Sequence, residues 1–205
     1  MLLNLNAISK KYDTKFKGVL HIGAHWGEED SLYDSLEIMN RIYFEPLLSN
    51  YSMLRSKIDS KYECIRTALG NTVGEVVMNV ETANKGMSSS ILKPAIHLQQ
   101  YPQITFDSTE TVAITKLDLV DFDRSKFNFI NIDVQGFELE VFRGAVSTLD
   151  TIDYINTEVN RAEVYEGCAK VDELDLFLSE YGFKRVETSW DGITWGDAFY
   201  AKISV

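Results

Sequence analysis

Gly18-Val19-Leu20-His21-Ile22-Gly23-Ala24-His25-Trp26-Gly27 runs an apolar stretch straight into a turn bounded by glycines. Valine, leucine and isoleucine crowded into so short a run are what a strand buried in a sheet requires. The residues that follow, EEDSLYDSLEIMN (28–40), put Leu32, Leu36 and Met39 at helical spacing behind an acidic first turn that suits a helix N-terminus. Strand, glycine turn and helix in that order open a βα unit. Its turn lets a ligand approach the backbone, and its helix start offers free amides. The spacing is GxxxG, not the GxGxxG fingerprint of dinucleotide binders, and a tight turn needs glycine whether or not anything binds. Taken alone, the motif fits a plain structural turn as well as a binding turn.

Outward from that unit the pattern repeats. RIYFEP (41–46) reads as a strand stopped by Pro46, and LSNYSMLRSKIDSK (48–61) as a helix with Leu48, Tyr51, Leu54 and Ile58 on one face. YECIRTALG (62–70) reads as a third strand ending in a glycine turn, and EVVMNVE (75–81) as a β-rich segment. From Thr82 to Ser108 periodicity is lost and Pro94 and Pro102 appear, the mark of a long crossing loop, which in a compact domain is usually functional. TVAITKLDLVDF (111–122) is again β-rich. FNFINIDVQG (127–136) is a buried strand, FELEVFRGAVSTL (137–149) a helix, DYINTEV (153–159) a strand and VDELDLFLSEYGF (171–183) an amphipathic helix closed by Gly182. KRVETSW and DAFYAKIS, around a glycine-bearing turn, read as two antiparallel strands. The alternation predicts an α/β sheet with helices on its faces, as a single domain over 1–205 with 1–17 as a lead-in segment.

The totals narrow the partners. A chain of 205 residues with 45% hydrophobic content can bury a sizeable core. Its 31 acidic against 20 basic residues, a formal charge of -11, disfavour a nucleic-acid backbone or an anionic membrane. Cys64 and Cys168 are too few for a disulfide framework and lack zinc-ligand spacing. No apolar run is long enough to span a bilayer, and the opening MLLNLNAISKKYD lacks the order of a signal peptide, so a soluble, cytoplasmic protein is expected.

Candidate site residues gather at the predicted strand ends. Glu45 closes the second strand about twenty residues after the glycine turn, where α/β nucleotide folds set an acid on the ribose hydroxyls, and Pro46 behind it offers a rigid apolar surface. Asp133 ends the strand NFINID and Glu158 ends its neighbour, so two carboxylates should face one crevice beside the turn. A helix cap is the alternative reading of Asp133. Chemistry on a hydroxyl group would need a group that takes its proton. Asp133, Glu158 and His25 are the candidates, His25 on its intrinsic pKa and Asp133 on position. Magnesium on the two carboxylates is the less favoured option, and no metal ligands are assigned. His21, inside the first strand, reads as a hydrogen-bonded core or strand-end residue. His97 reads as exposed, unless its loop folds over the site as a lid. Trp26, Trp190 and Trp195 fit a core as well as a rim that stacks on a sugar.

Together HIGAHWGEE with Tyr33, YFEP, TALGN followed by GE, GMSSSIL, INIDVQGFELEVFRGA, YINTEVNRAEVYEG, the EYGF helix end and WGDAFYAK resemble the FkbM-like methyltransferases, from about Gly18 onward. The resemblance implies a Rossmann-like, mostly parallel sheet of seven strands with a C-terminal antiparallel hairpin, the class I methyltransferase fold. It further implies S-adenosylmethionine as donor and O-methylation, with sugars and other hydroxyl-bearing metabolites as acceptors. Carried over by position, it implies that Gly23, Ala24, His25 and Gly27 surround the methionine part, Glu45 the ribose, and Ala68 with Leu69 the adenine. Ser88 and Ser89 close on the nucleoside, and Asp133 lies between donor and acceptor. His21 stands where the family often has Asp, and Gln135 where Glu is frequent. The expected function is O-methylation of a sugar hydroxyl in a glycan or glycosylated metabolite. A nicotinamide-dependent oxidoreductase, with Glu45 on the NAD ribose, and a non-catalytic binding module of the same fold are the alternatives.

Overall fold

A computed structural model of the chain describes residues 2–203. Seven strands form the main sheet: β1 (Gly18–Ile22), β2 (Asn40–Phe44), β3 (Glu63–Ile65), β7 (Phe129–Ile132), β8 (Tyr154–Asn160), β9 (Phe183–Asp191) and β10 (Trp195–Lys202). Their order is β3-β2-β1-β7-β8-β10-β9. β1 pairs in parallel with both β2 and β7, β2 with β3 and β7 with β8, whereas β10 runs antiparallel to both β8 and β9. This is the Rossmann-like sheet with a terminal hairpin that the resemblance implies. The strand order reverses direction between β1 and β7, and in open α/β sheets a crevice opens at such a point, beyond the carboxyl ends of the strands.

Alternate residues of the central strands feed two apolar layers, as the period of a strand demands. Leu20, Ile22, Ile130 and Ile132 face one layer with α5 (Glu138–Arg143), α6 (Val146–Leu149) and α7 (Val171–Glu180), which contribute Phe142, Leu149 and Leu174. Val19, Tyr43 and Phe129 face the other, where α1 (Leu5–Tyr12) supplies Leu5 and Ile8, α2 (Asp30–Ser35) Tyr33 and α3 (Leu48–Lys57) Leu54. The segment before Gly18 is thus a helix built into the core.

Three predicted elements differ. The helix expected over 28–40 ends at Ser35, because Glu37 turns to positive φ and lets Ile38 swing inward. Met39 is left 68% exposed and Leu36 half-buried, so the expected apolar face is replaced by Tyr33 and Ile38. In α3 Leu48 is likewise exposed. YECIRTALG does not run as one strand. Ile65 pairs with Phe44 in the main sheet, the chain bends at Arg66 and Thr67, and β4 (Ala68–Leu69) joins β5 (Gly74–Val80) and β6 (Ser108–Thr115) in a second sheet of order β4-β6-β5. The helix expected over 137–149 is broken at Gly144, where a Cβ would lie 1.9 Å from the Gly70 carbonyl oxygen, so this turn can pass the Gly70 backbone only as glycine.

The crossing segment 82–108 contains α4 (Ile96–Gln100), anchored by backbone bonds from Ala95 and His97 to Val164. Among the described residues no helix is long and apolar enough to cross a membrane. Cys64 and Cys168 are free thiols.

Candidate active site

The carboxyl ends of β1, β2, β7 and β8 open onto three connected chambers, and Asp133 and Met87 line all three. The first holds about 590 Å³ of empty space, its open mouth included, between Glu45, Pro46, Ala68, Leu69, Ile91 and Phe137. The second is walled by His21, Ala24, Glu28, Glu29, Asn156 and Glu158. The third lies under the crossing segment, against His97, Tyr101, Gln103, Asp191, Trp195 and Asp197. Among the described residues no lysine or arginine lines any of them.

The turn after β1 is shaped by close packing. Gly23 has φ +77, and a Cβ there would meet the Asp133 carbonyl oxygen at 1.9 Å, so glycine lets the ends of β1 and β7 lie side by side. His25 follows with φ +46, one of three non-glycine residues at the crevice with positive φ, together with Lys85 and Gln135. Backbone held in that region marks sites that the surroundings over-determine. Glu45 is buried, one carboxylate oxygen accepting the His25 backbone N–H at 2.9 Å and the other that of Leu47 at 3.0 Å. Burial pushes its carboxyl up to about 8, opposed by those two amides, with Glu110 and Glu28 adding to the rise. Each oxygen keeps a lone pair for a ligand hydroxyl. The slot thus sets an acid just past a strand end beside apolar walls that include Leu69 and Phe137.

Asp133, just past β7, and Glu158, which lies inside β8 and does not end it, do converge. Gln135 Nε2 donates to Asp133 Oδ1 at 2.6 Å and to Glu158 Oε2 at 3.0 Å, and Gln135 Oε1 accepts from the Tyr165 hydroxyl at 2.6 Å. Desolvation by the surrounding chain raises the Asp133 carboxyl to about 6, opposed by the Gln135 bond, although the residue keeps an exposed edge, and burial raises Glu158 well above the ordinary range, reinforced by Asp133, Glu138 and Asp197. Glu138 accepts the Val134 and Gly136 backbone N–H groups and thereby holds the turn after β7. Asp197, opposite Glu158 on β10, accepts the Leu2 and Leu3 backbone N–H groups, which ties the N-terminal segment to the site.

Several expected roles are redrawn. His25 lines the first and second chambers, but its Nδ1 meets Glu28 at 2.9 Å and its Nε2 the Lys85 carbonyl oxygen at 3.0 Å, so both nitrogens are already engaged by oxygens of the protein. The imidazole stacks on Trp26, whose indole also carries the Lys57 and Lys85 ammonium groups, and latches the 84–89 turn to the glycine loop. Gly27 touches no chamber; it faces Leu54 and Ile58 and serves packing. Ala24 lines the second chamber and Ser89 the first, but Ser88 lines the third, away from the nucleoside slot.

His97 is not exposed. It is 4% accessible, packed against Tyr101, Phe106 and Tyr165, and its Nδ1 has no partner. Burial lowers its pKa, as it does for His21, which is core but lacks the expected hydrogen bond at Nδ1. Trp195 reaches the third chamber and donates from Nε1 to the Tyr101 hydroxyl at 3.0 Å, while Trp190 lies under the Arg161 guanidinium. Among the described residues no three His, Cys, Asp or Glu side chains group to hold a metal ion. Gln135, Asp197, Glu138 and Tyr165 were not foreseen as site residues. The only local sign of Gln135 was its place two residues beyond a strand-end aspartate.

Comparison with known proteins agrees with this architecture. The Methyltransferase FkbM domain model matches residues 21–185. The 2-O-methyltransferase NoeI of Sinorhizobium fredii (strain NBRC 101917 / NGR234) is 35% identical over 83 residues, which is 40% of this chain and 34% of that protein's length. Among solved structures, Sp1610 of Streptococcus pneumoniae, a candidate tRNA (m1A22) methyltransferase in complex with S-adenosyl-L-methionine, aligns with a TM-score of 0.53 at 13% identity, over 98% of this chain and 73% of that one. Magnesium protoporphyrin IX methyltransferase (ChlM) of Synechocystis PCC 6803 aligns with a TM-score of 0.53 at 8% identity, over 97% and 76%. At such identities the structural likeness concerns the fold.

Proposed function

The chain belongs to the FkbM methyltransferase domain family, and from that premise we propose that it methylates a hydroxyl group, on a sugar of a glycan or glycosylated metabolite, with S-adenosylmethionine as donor. The observation that carries the reading is that Asp133 borders a nucleoside-shaped slot on one side and the chamber of Tyr101 and Trp195 on the other. When bound, S-adenosylmethionine supplies a methyl carbon on a sulfonium that leaves as a neutral thioether once the acceptor oxygen has bonded to that carbon.

The protein's own work is alignment and proton management. Glu45 takes the ribose hydroxyls, Leu69 and Phe137 flank the base, and the second chamber, rich in carboxylates, receives the cationic end of the donor. Asp133 accepts the proton of the acceptor hydroxyl. In the third chamber the faces of Trp195 and Tyr101 suit the apolar face of a sugar ring. The absence of any lysine or arginine from its lining favours an uncharged acceptor over a phosphorylated one. The name of the S. fredii relative, a 2-O-methyltransferase, supports oxygen as the acceptor atom.

Calorimetric titration with S-adenosylmethionine, S-adenosylhomocysteine and NAD in parallel tests the reading. Saturable binding of the first two, followed by donor-dependent methylation in a panel of neutral sugars, is expected. Binding of NAD alone would turn the assignment toward an oxidoreductase, and binding of none toward a non-catalytic module.

A further inference from the structure

We propose that Gln135 is a positioning residue for methyl transfer: its side-chain amide holds the Asp133 and Glu158 carboxylates apart in role, so that Asp133 takes the acceptor's proton while Glu158 keeps its own. The inference rests on the methyltransferase reading.

The hydrogen bonds fix the arrangement. Both amide hydrogens of Gln135 are spent on carboxylates, one each, and its carbonyl oxygen accepts from Tyr165. Turned the other way, the amide would point its oxygen at the Asp133 carboxylate and lose that bond. The main chain cannot slip, since Gln135 sits at φ +54 and its carbonyl oxygen accepts from the Ser90 hydroxyl at 2.7 Å. Its side chain borders both the nucleoside slot and the third chamber, between donor and acceptor.

The charges then decide which carboxylate ionises. Asp133 is faced by Glu158 from β8, Asp197 from β10, Glu138 from α5 and Glu29 ahead of α2, with His21 of β1 on the same chamber and Tyr165 behind Gln135. Neighbouring carboxylates in a desolvated cluster do not both ionise readily. The donor that favours ionisation lies closer to Asp133, at 2.6 Å, than to Glu158, at 3.0 Å. Desolvation lifts both groups, and Asp133, lifted only to about 6, is the one left ionised at neutral pH.

The test replaces Gln135 by Leu, which keeps bulk without hydrogen bonds, and by Glu, which keeps shape but adds a carboxylate. Carboxyl-resolved NMR titration follows Asp133 directly, without any acceptor, and the kcat–pH profile follows it in turnover. In both variants the Asp133 midpoint and the acid limb of kcat are expected to rise by about one pH unit or more, with turnover recovering toward wild type above about pH 8. An unmoved Asp133 midpoint, or turnover lowered equally at every pH, would overturn the proposal. If Gln135→Leu fails to fold, as circular dichroism would reveal, the Gln135→Glu titration decides alone. A wild-type protein that binds no S-adenosylmethionine would instead overturn the methyltransferase reading, and the NMR midpoints would still judge the role of Gln135.

Discussion

The backbone N–H of His25 donates to the Glu45 carboxylate across 2.9 Å, joining the glycine turn after β1 to the end of β2. The same carboxylate takes the Leu47 N–H, so its orientation is fixed by two strands' ends before any ligand arrives. A preorganised acid of this kind binds without first having to be ordered.

Replacing Glu45 by Ala is expected to weaken S-adenosylmethionine binding by about tenfold or more, the loss of hydrogen bonds to a charged group. Ribose hydroxyls donate, so they favour the ionised acid, and the free carboxyl titrates near 8. Wild-type affinity should therefore improve as pH rises toward that value and level off above it, whereas Glu45→Gln should show no such slope. Calorimetry across pH checks both, and an unchanged affinity in Glu45→Ala would remove Glu45 from the ribose.

Asp133→Asn should leave the melting temperature and donor affinity near wild type while lowering kcat by about 100-fold or more, the usual share of a proton-accepting group. Single-turnover kinetics with a competent acceptor would measure this. Near-normal turnover would exclude Asp133 as the base.

Stability should depend on pH through the buried acids. Glu138 and Glu45 have folded-state values raised to about 7 and 8, chiefly by burial. Raised acids contribute stability that is complete below their unfolded values and is lost as pH rises through the folded ones. The buried His21 and His97, lowered by desolvation, act in the opposite sense and cost stability as pH falls below about 6.5. The ligand-free melting temperature should thus fall as pH rises from about 4.5 to about 8, most clearly above about 6.5 where the histidines no longer oppose it, and Glu45→Gln should flatten that fall. An equal slope in the variant would refute the assignment.

Gly23→Ala is expected to destabilise the fold by about 2–4 kcal/mol, because its Cβ would collide with the Asp133 carbonyl oxygen at a residue with φ +77. Chemical denaturation measures it. A loss under about 0.5 kcal/mol would mean that β1 and β7 separate without cost.

Trp195→Ala should raise KM for a sugar acceptor by about tenfold and leave the donor Kd alone, since Trp195 lines only the third chamber. Equal weakening of donor and acceptor would place the acceptor elsewhere.

The sequence by itself determined the central strands and the acids that end them. GVLHI, RIYF and FINI carry their burial in their own composition, so Glu45 beside Pro46 and Asp133 just past FINI could be located without knowing any partner, whereas Glu158, read as a strand end, lies inside a strand that runs on to Asn160. What required the tertiary structure were the features set by contacts distant in the chain. The bend at Arg66 depends on which sheet Ala68 joins, and the burial of His97 on the Val164 carbonyl that anchors α4. His25 lost its role as a base to Lys85, 60 residues away, and Gln135 gained one from Glu158 and Tyr165, 23 and 30 residues on. Apolar periodicity reports whether a side chain is buried, but a hydrogen-bond partner is chosen by where the chain returns, and only the folded topology decides that.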